Sequence, residues 1–370
     1  MTALALTQSL IRCASVTPAD AGAQDVLIAY LERLGFAVQR LRFGETENFF
    51  ARFGKGAPHF CFAGHTDVVP PGSGWQHDPF AGLVADGVLY GRGACDMKGG
   101  IAAFVAAVEQ VLAERPPRGS ISLLITGDEE GHATDGTVRV LEWLASCGQI
   151  PDMCLVGEPT NPAVLGDMIK VGRRGSLNAV ITVHGVQGHT AYPQRADNPV
   201  HRLVAALAEL CTTRLDEGSA SFEPSSLQVS SIDVGNPASN VIPASARAQL
   251  NIRFNDRHTG AGMEAYLREV LSRHADRFDL AVELSGEAFL TEPGAFTEIL
   301  SRAVHKVTGT TPKLDTGGGT SDARFIARYC PVAEFGLVGA SMHKADECVA
   351  VADLEQLTAI YADVLRAVVG

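Results

Sequence analysis

The 370-residue chain lacks several features that would each define a protein class. It has eight cysteines but no CxxC pair, which argues against a cysteine zinc site. The cysteines are scattered at positions 13, 61, 95, 147, 154, 211, 330 and 348, and a chain this large needs no disulfide staples, so reduced thiols are expected. No apolar run approaches the ~18 residues of a membrane-spanning helix. The N-terminus has neither the basic start nor the apolar stretch of a secretory signal, so the expected location is the cytoplasm. There is no repeat, no low-complexity tract and no GxSxG nucleophile elbow. Nor is there a cationic excess: the formal net charge is −12, which argues against nucleic acid or an anionic membrane as the main partner.

What is present is an ordinary globular balance, 46% apolar and 19% charged, over a length that favours two domains. Two helices are expected within residues 1–34, followed by strands near 36–43, 49–53 and 59–63. A helix at 99–114 carries Ile101, Phe104, Val105, Val108, Val111 and Leu112 on one face and stops at Pro116-Pro117. Short apolar runs at 120–126 and 153–156 suit buried strands, with a helix at 134–145 between them. This alternation predicts an α/β layered sheet, and its acidic residues fall just past the carboxyl ends of strands, where such sheets place ligands. The pattern then changes. Alternating strands at 177–183, 227–234, 246–254 and 280–284, with helices at 198–213 and 262–273, predict an inserted α+β domain of four strands and two helices. The expected division is 1–174 plus 288–370 as one discontinuous domain and 175–287 as the insert.

The chemistry is carried by acids and histidines at strand ends. His65 and Asp67 lie two apart, so on a strand they face one side. His65 can then ligate a metal while Asp67 takes its other N–H. Alone, an HxD pair is equally a surface pair at a strand end. Asp96 sits in a glycine-dense turn, GRGACDMKGG at 91–100, where it is either a helix cap or a carboxylate approached closely by two cations. The adjacent Asp128, Glu129 and Glu130 repel one another unless a cation or protons compensate, or unless the loop is simply solvated. Glu158 follows a buried strand, and His343 lies in a loop of small residues. Together, two histidines and three carboxylates at strand ends have the composition of a dinuclear zinc or cobalt hydrolase. Two divalent ions against Asp96, Glu130, Glu158 and a hydroxide come to about neutral, so the cluster can be held away from bulk water.

These motifs occur in a recognisable order. GHTDVVPPG at 64–72, GRGACDMKGG at 91–100, TGDEEG at 126–131, VGEPT at 156–160 and His343 resemble the zinc exopeptidase and deacylase family that includes acetylornithine deacetylase, aminoacylase and carboxypeptidase G. The resemblance spans almost the whole chain. It implies a discontinuous zinc-hydrolase domain with a central mixed sheet flanked by helices, and an inserted four-stranded domain acting as lid and homodimer interface. It implies that His65, Asp96 and Glu158 hold one metal ion and that Asp96, Glu130 and His343 hold the other, with Asp96 bridging. Glu129 would be general base and then acid toward a water acidified by the pair. The peptide bond between Asp96 and Met97 would be cis, and His189 would donate to the oxyanion from the partner subunit.

More narrowly, IKVGRRGSL at 169–177, GHTAYP at 188–193, SNVIPASA at 239–246, NIRFN at 251–255 and GGTSDARF at 318–325 resemble the branch of that family that removes succinate from N-succinyl-LL-2,6-diaminopimelate. An anionic substrate with several carboxylates calls for Arg173, Arg174 and Arg253, with Ser176, Tyr192, Asn240, Gly319, Thr320 and Ser321 as neutral contacts. The alternatives are deacetylation of acetylornithine or of another N-acyl amino acid, and, outside enzymes, a metal-binding dimeric scaffold. Retention of Glu129 speaks against the scaffold, because a binding site needs no free base beside its ligands.

Overall fold

A computed structural model describes residues 2–370, and the chain forms two compact units. The first comprises residues up to 171, 290–315 and 321–370; the second comprises 172–289 together with the short segment 316–320. The sequence pattern assigns 316–320 to the first domain. This segment instead returns to the second unit because the Thr316 hydroxyl donates to the Ser221 carbonyl and Arg173 donates to the Gly319 carbonyl.

The main sheet of the first unit begins with β1 (Ala37–Phe43), β2 (Thr46–Phe53), β3 (His59–His65), β4 (Ser120–Thr126), β5 (Met153–Val156) and β6 (Met168–Lys170). The second unit supplies β7 (Gly175–His184), β8 (Ser226–Asp233), β9 (Ser245–Phe254) and β10 (Phe278–Gly286), and the chain returns with β11 (Lys313–Asp315) and β12 (Val332–Glu334). The first unit's sheet has eight strands in the order β1-β2-β4-β3-β5-β12-β6-β11. Its centre is parallel, with β3 between β4 and β5, while β1 and β2 add on antiparallel. Every residue of β3 and β4 is buried, the polar His59, Ser120, Ser122 and Thr126 among them, as in strands covered on both faces.

The longer helices of this unit are α1 (Ala3–Arg12), α2 (Ala23–Arg33), α3 (Gly99–Glu114), α4 (Thr137–Ser146) and, after α5 (Pro199–Thr212) and α6 (Gly260–His274) of the second unit, α7 (Ala295–Thr308) and α8 (Val351–Val369). The rings of Phe62 and Phe104 stack at 4.2 Å, and Tyr361 of α8 meets both edge-on, so α3 and α8 seal one face of β3. Tyr361 is fully buried, and its hydroxyl donates to the Phe335 carbonyl at 2.6 Å. No helix among the described residues is long and apolar enough to cross a membrane.

Helix α4 begins three residues later than its sequence pattern suggests. The Asp128 carboxylate accepts the N–H groups of Thr134 and Asp135 at 2.8 and 3.0 Å and holds those residues in a loop. Asp128 is thereby committed to local structure, the favourable fate of a short acid offered free backbone donors.

The second unit is a four-stranded antiparallel sheet, β8-β9-β7-β10, with α5 (Pro199–Thr212) and α6 (Gly260–His274) packed on it. Burial along β7 and β9 alternates, and Leu177, Ala179, Ile181 and Val183 share the inner face with Ala248, Leu250 and Ile252. Asn198 caps α5 with Pro199 at its first position, as the sequence signals. Helix α6 starts at Gly260 on a Thr259 cap, two residues before its sequence pattern suggests, because the glycines at 260 and 262 mask its beginning.

Candidate active site

Five segments deliver the first unit's acids and histidines to the carboxyl ends of its central strands. His65 ends β3, and the Asp128–Glu130 stretch follows β4. Glu158 follows β5. Asp96 lies in the turn entering α3, where the Asp96–Met97 bond is cis, as the resemblance implies. His343 stands on the loop between β12 and α8 at a positive φ of 61°. Small residues make this convergence possible. A Cβ on Gly157 would come within 2.4 Å of the Phe62 ring, and one on Gly100 within 2.6 Å of the Gly157 carbonyl.

Asp96 is central. Its Oδ1 lies 3.2 Å from Nε2 of His65 and its Oδ2 lies 3.2 Å from Nε2 of His343. His65 Nε2 is also 3.7 Å from Oε1 of Glu158, and His343 Nε2 is 2.9 Å from Oε1 of Glu130. Two groups have the proximity needed to hold an ion: His65 with Asp96 and Glu130, and His65 with Glu129 and Glu158. The donors are imidazole nitrogen and carboxylate oxygen without cysteine, a set that suits zinc and its first-row neighbours.

The electrostatics describe a cluster short of positive charge. Burial raises Glu129 to about 8, with Asp322, Glu130 and Asp96 reinforcing the shift and His65 opposing it. Burial likewise pushes Glu158 well above the usual carboxylate range, helped by Asp96 and Glu129. For His65 burial favours the neutral ring, but the surrounding carboxylates prevail and its pKa is raised well above the ordinary value. Bonds to Asp96 and Glu130 raise His343 to about 10. For Asp96, burial favours the acid, but the two histidines overcome it and hold the carboxyl well below its usual range. In the absence of cations, therefore, protons supply the missing charge. Divalent cations between these groups would displace those protons, so the residues fit a metal centre.

One sequence expectation is corrected here. The N–H of His65 Nδ1 donates to the backbone carbonyl of Asp67 at 2.9 Å, and the Asp67 carboxylate stands 3.6 Å away. Instead, that carboxylate accepts the backbone N–H groups of Glu129 and Glu130 at 3.3 and 3.0 Å. Asp67 thus sets the tautomer of His65 through its main chain and anchors the Glu129–Glu130 turn through its side chain. Hydrogen-bond partners across strand ends are invisible to a spacing of two.

In the second unit, Arg174 and Arg253 are half-buried neighbours, and no ion pair to a carboxylate is seen for either among the described residues. Burial and the like charge of Arg174 hold Arg253 below its ordinary value. Arg174 Nε and Arg253 Nη1 are buried without a hydrogen-bond partner. Ser176 is buried near this pair in sequence register, opposite Arg253. Arg173 donates to the carbonyl of Gly319, beside Thr320. Ser321 belongs to the first unit, is buried, and its hydroxyl donates to buried Glu334 at 2.9 Å.

His189, Tyr192 and Asn240 form an exposed group: residues 188–189 pair with 241–242, and the rings of His189 and Tyr192 lie 5.7 Å apart. His189 Nδ1 accepts the Ala191 N–H at 3.0 Å, which leaves the proton of a neutral ring on Nε2 as a donor.

Sequence reasoning missed Arg92 and Glu347. Both are fully buried and bonded to each other at 2.6 Å beside Asp96. The available signal was a charged residue within each of the small-residue segments around Asp96 and His343.

Comparison with known proteins agrees with this architecture. Succinyl-diaminopimelate desuccinylase of Gluconobacter oxydans (strain 621H) is 63% identical over 362 residues, covering 97% of this chain and 95% of that protein. The desuccinylase of Gluconacetobacter diazotrophicus is 63% identical over 374 residues, covering 100% and 97%. The fold matches an M20 family metallo-carboxypeptidase from Sulfolobus solfataricus with a TM-score of 0.82, at 16% identity and 98% coverage of both chains. It also matches the YXEP protein of Bacillus subtilis, described as a dinuclear metal binding peptidase, with a TM-score of 0.74 at 14% identity, covering 98% and 96%. The description "Peptidase family M20/M25/M40" matches residues 61–367, and with these relatives it shows that the chain belongs to that family.

Proposed function

We propose that this chain hydrolyses N-succinyl-LL-2,6-diaminopimelate to succinate and LL-2,6-diaminopimelate, a step of lysine and diaminopimelate biosynthesis. The observation that carries the hydrolase reading is the placement of Asp96, whose two oxygens each face a different imidazole at 3.2 Å. A single carboxylate so placed would serve two cations, were they bound. One ion would be held by His65, Asp96 and Glu158, and the other by Asp96, Glu130 and His343. Bound there, two zinc ions, or cobalt in their place, would polarise the amide carbonyl and acidify the attacking water. Glu129 takes the proton from that water and returns it to the leaving amine. Its turn is held by Asp67, which fixes where the carboxylate projects.

The substrate reading rests on relatives 63% identical over almost the full length and on the paired cations of the second unit. Arg174 and Arg253 repel one another unless an anion joins them, and a substrate bearing several carboxylates supplies one. Arg173, Ser176, Tyr192, Asn240, Gly319, Thr320 and Ser321 complete the proposed contacts. The chain is proposed to act as a cytoplasmic homodimer through the second unit. In support, all eight cysteines are free, and that unit exposes Val204 on α5 and Ile232 on edge strand β8, each more than half accessible.

A turnover panel tests the substrate. The expected result is the highest kcat/KM with N-succinyl-LL-diaminopimelate, far less with N-acetylornithine and N-acyl amino acids, and none after chelation until zinc is restored. A preference for N-acetylornithine would move the chain to the related deacetylase activity.

The ligand roles are separable by titration. Asp96→Asn is expected to weaken uptake of both metal equivalents, and His343→Ala mainly one, measured calorimetrically on metal-free protein. Equal losses in the two variants would contradict the bridging role.

A further inference from the structure

Asp96 and His343 must meet, yet they come from segments about 250 residues apart, and the His343 loop has little regular structure of its own. Residues 343 and 346 both have positive φ, and the segment from 339 to 347 is turns and loop. Its placement therefore depends on specific bonds. Glu347 makes several of them. Its Oε1 accepts the N–H of Cys95 at 3.0 Å and of Asp96 at 3.2 Å, and takes the Cys95 thiol at 3.3 Å. Its Oε2 receives Nη1 of Arg92 at 2.6 Å. The same guanidinium donates to the Lys344 carbonyl at 3.3 Å and, from Nη2, to the Pro71 carbonyl at 3.3 Å. It also lies over the Trp75 ring at 5.3 Å. The Glu347 carbonyl accepts the Gly91 N–H at 2.8 Å.

We propose that the buried Arg92–Glu347 pair is the positioning device of the metal centre, one clamp that holds the backbone of Asp96 on one side and the His343 loop on the other. The inference rests on the dinuclear reading above. Holding the Asp96 N–H fixes the direction of its side chain, and hence which oxygen faces which imidazole. Holding the Lys344 carbonyl fixes the residue next to His343. A buried ion pair is by itself a poor stabiliser, since apolar residues of similar size often do as well. What apolar residues cannot supply is an acceptor for two adjacent backbone N–H groups joined to a donor for the facing loop. Groups that orient ligands in this way typically account for about 10–100-fold in metal affinity.

The test separates positioning from stability. Zinc affinity is measured on metal-free protein by competition with a chromophoric chelator, and the thermal midpoint of the same samples by circular dichroism. Uptake of two zinc equivalents by wild type tests the dinuclear reading on its own; uptake of none overturns that reading and this inference together. Glu347→Gln leaves Arg92 buried without its counter-charge, so both the midpoint and the affinity should fall. The double variant Arg92→Met/Glu347→Gln removes the stranded charge, so its midpoint should recover while zinc affinity stays about 10–100-fold below wild type. If affinity recovers with the midpoint, the pair serves only the fold and the proposal is overturned. Wild-type affinity in a folded Glu347→Gln protein overturns it equally. Should Glu347→Gln fail to fold, the double variant decides alone.

Discussion

Glu129→Gln should retain its metal ions and lose turnover by about 10²–10⁴-fold, the usual cost of removing a general base. The substitution is nearly isosteric. The main-chain bonds from Asp67 to the Glu129–Glu130 turn do not involve the altered side chain, so the turn should keep its place. What disappears is an oxygen able to take and return a proton. Burial and the neighbouring acids already push Glu129 to about 8, so this carboxylate accepts a proton more readily than an ordinary glutamate. Two cations would lower that value and leave the basic form populated at neutral pH. The measurement is kcat together with metal content per chain. Near-normal kcat would remove Glu129 from its role. Loss of one metal equivalent would instead make it a ligand, an outcome with a geometric basis, since Glu129 groups with His65 and Glu158 closely enough to share an ion.

His189→Ala should lower kcat by about 10²–10³, or roughly 3–4 kcal/mol, as expected for one missing oxyanion donor. With Nδ1 occupied by the Ala191 N–H, a neutral His189 presents its proton at Nε2, the form an oxyanion requires. If that donor serves the partner's site, two inactive proteins should complement. A heterodimer of Glu129→Gln and His189→Ala has one site carrying both lesions and one carrying neither. Up to about half of wild-type activity per heterodimer should return on mixing, because symmetry separates the two contributions. Subunit exchange must be verified by differential tagging. Confirmed exchange without recovered activity would place His189 in its own chain's site and remove the support for a shared active site.

The α/β class was legible in the sequence because strands buried on both faces read as largely apolar runs without a polar alternating face. The 120–126 and 153–156 runs are β4 and β5, with the bounds expected. The antiparallel insert was legible for the opposite reason: one covered face gives the alternation seen along β7 and β9. Helix starts were less legible where the local chemistry was ambiguous. Asp128 looked like a third member of an acidic cluster, yet its carboxylate is bound to backbone N–H groups at the head of α4.

The residue types of the candidate site were determined by the sequence alone, because imidazole and carboxylate at strand ends limit the chemistry whatever their exact positions. Which atoms face each other was decided only by the tertiary structure. Asp67 reaches Glu129 and Glu130 across neighbouring strands, a contact set by sheet order rather than by spacing. Ser321 meets buried Glu334, thirteen positions on, only through the fold. Glu347 and Arg92, 255 positions apart, acquire a partner only when the chain closes on itself, since a buried charge must be matched by whatever the fold brings beside it. Local sequence reports the propensities and chemistry of each segment, whereas long-range pairing depends on a packing that no short window contains.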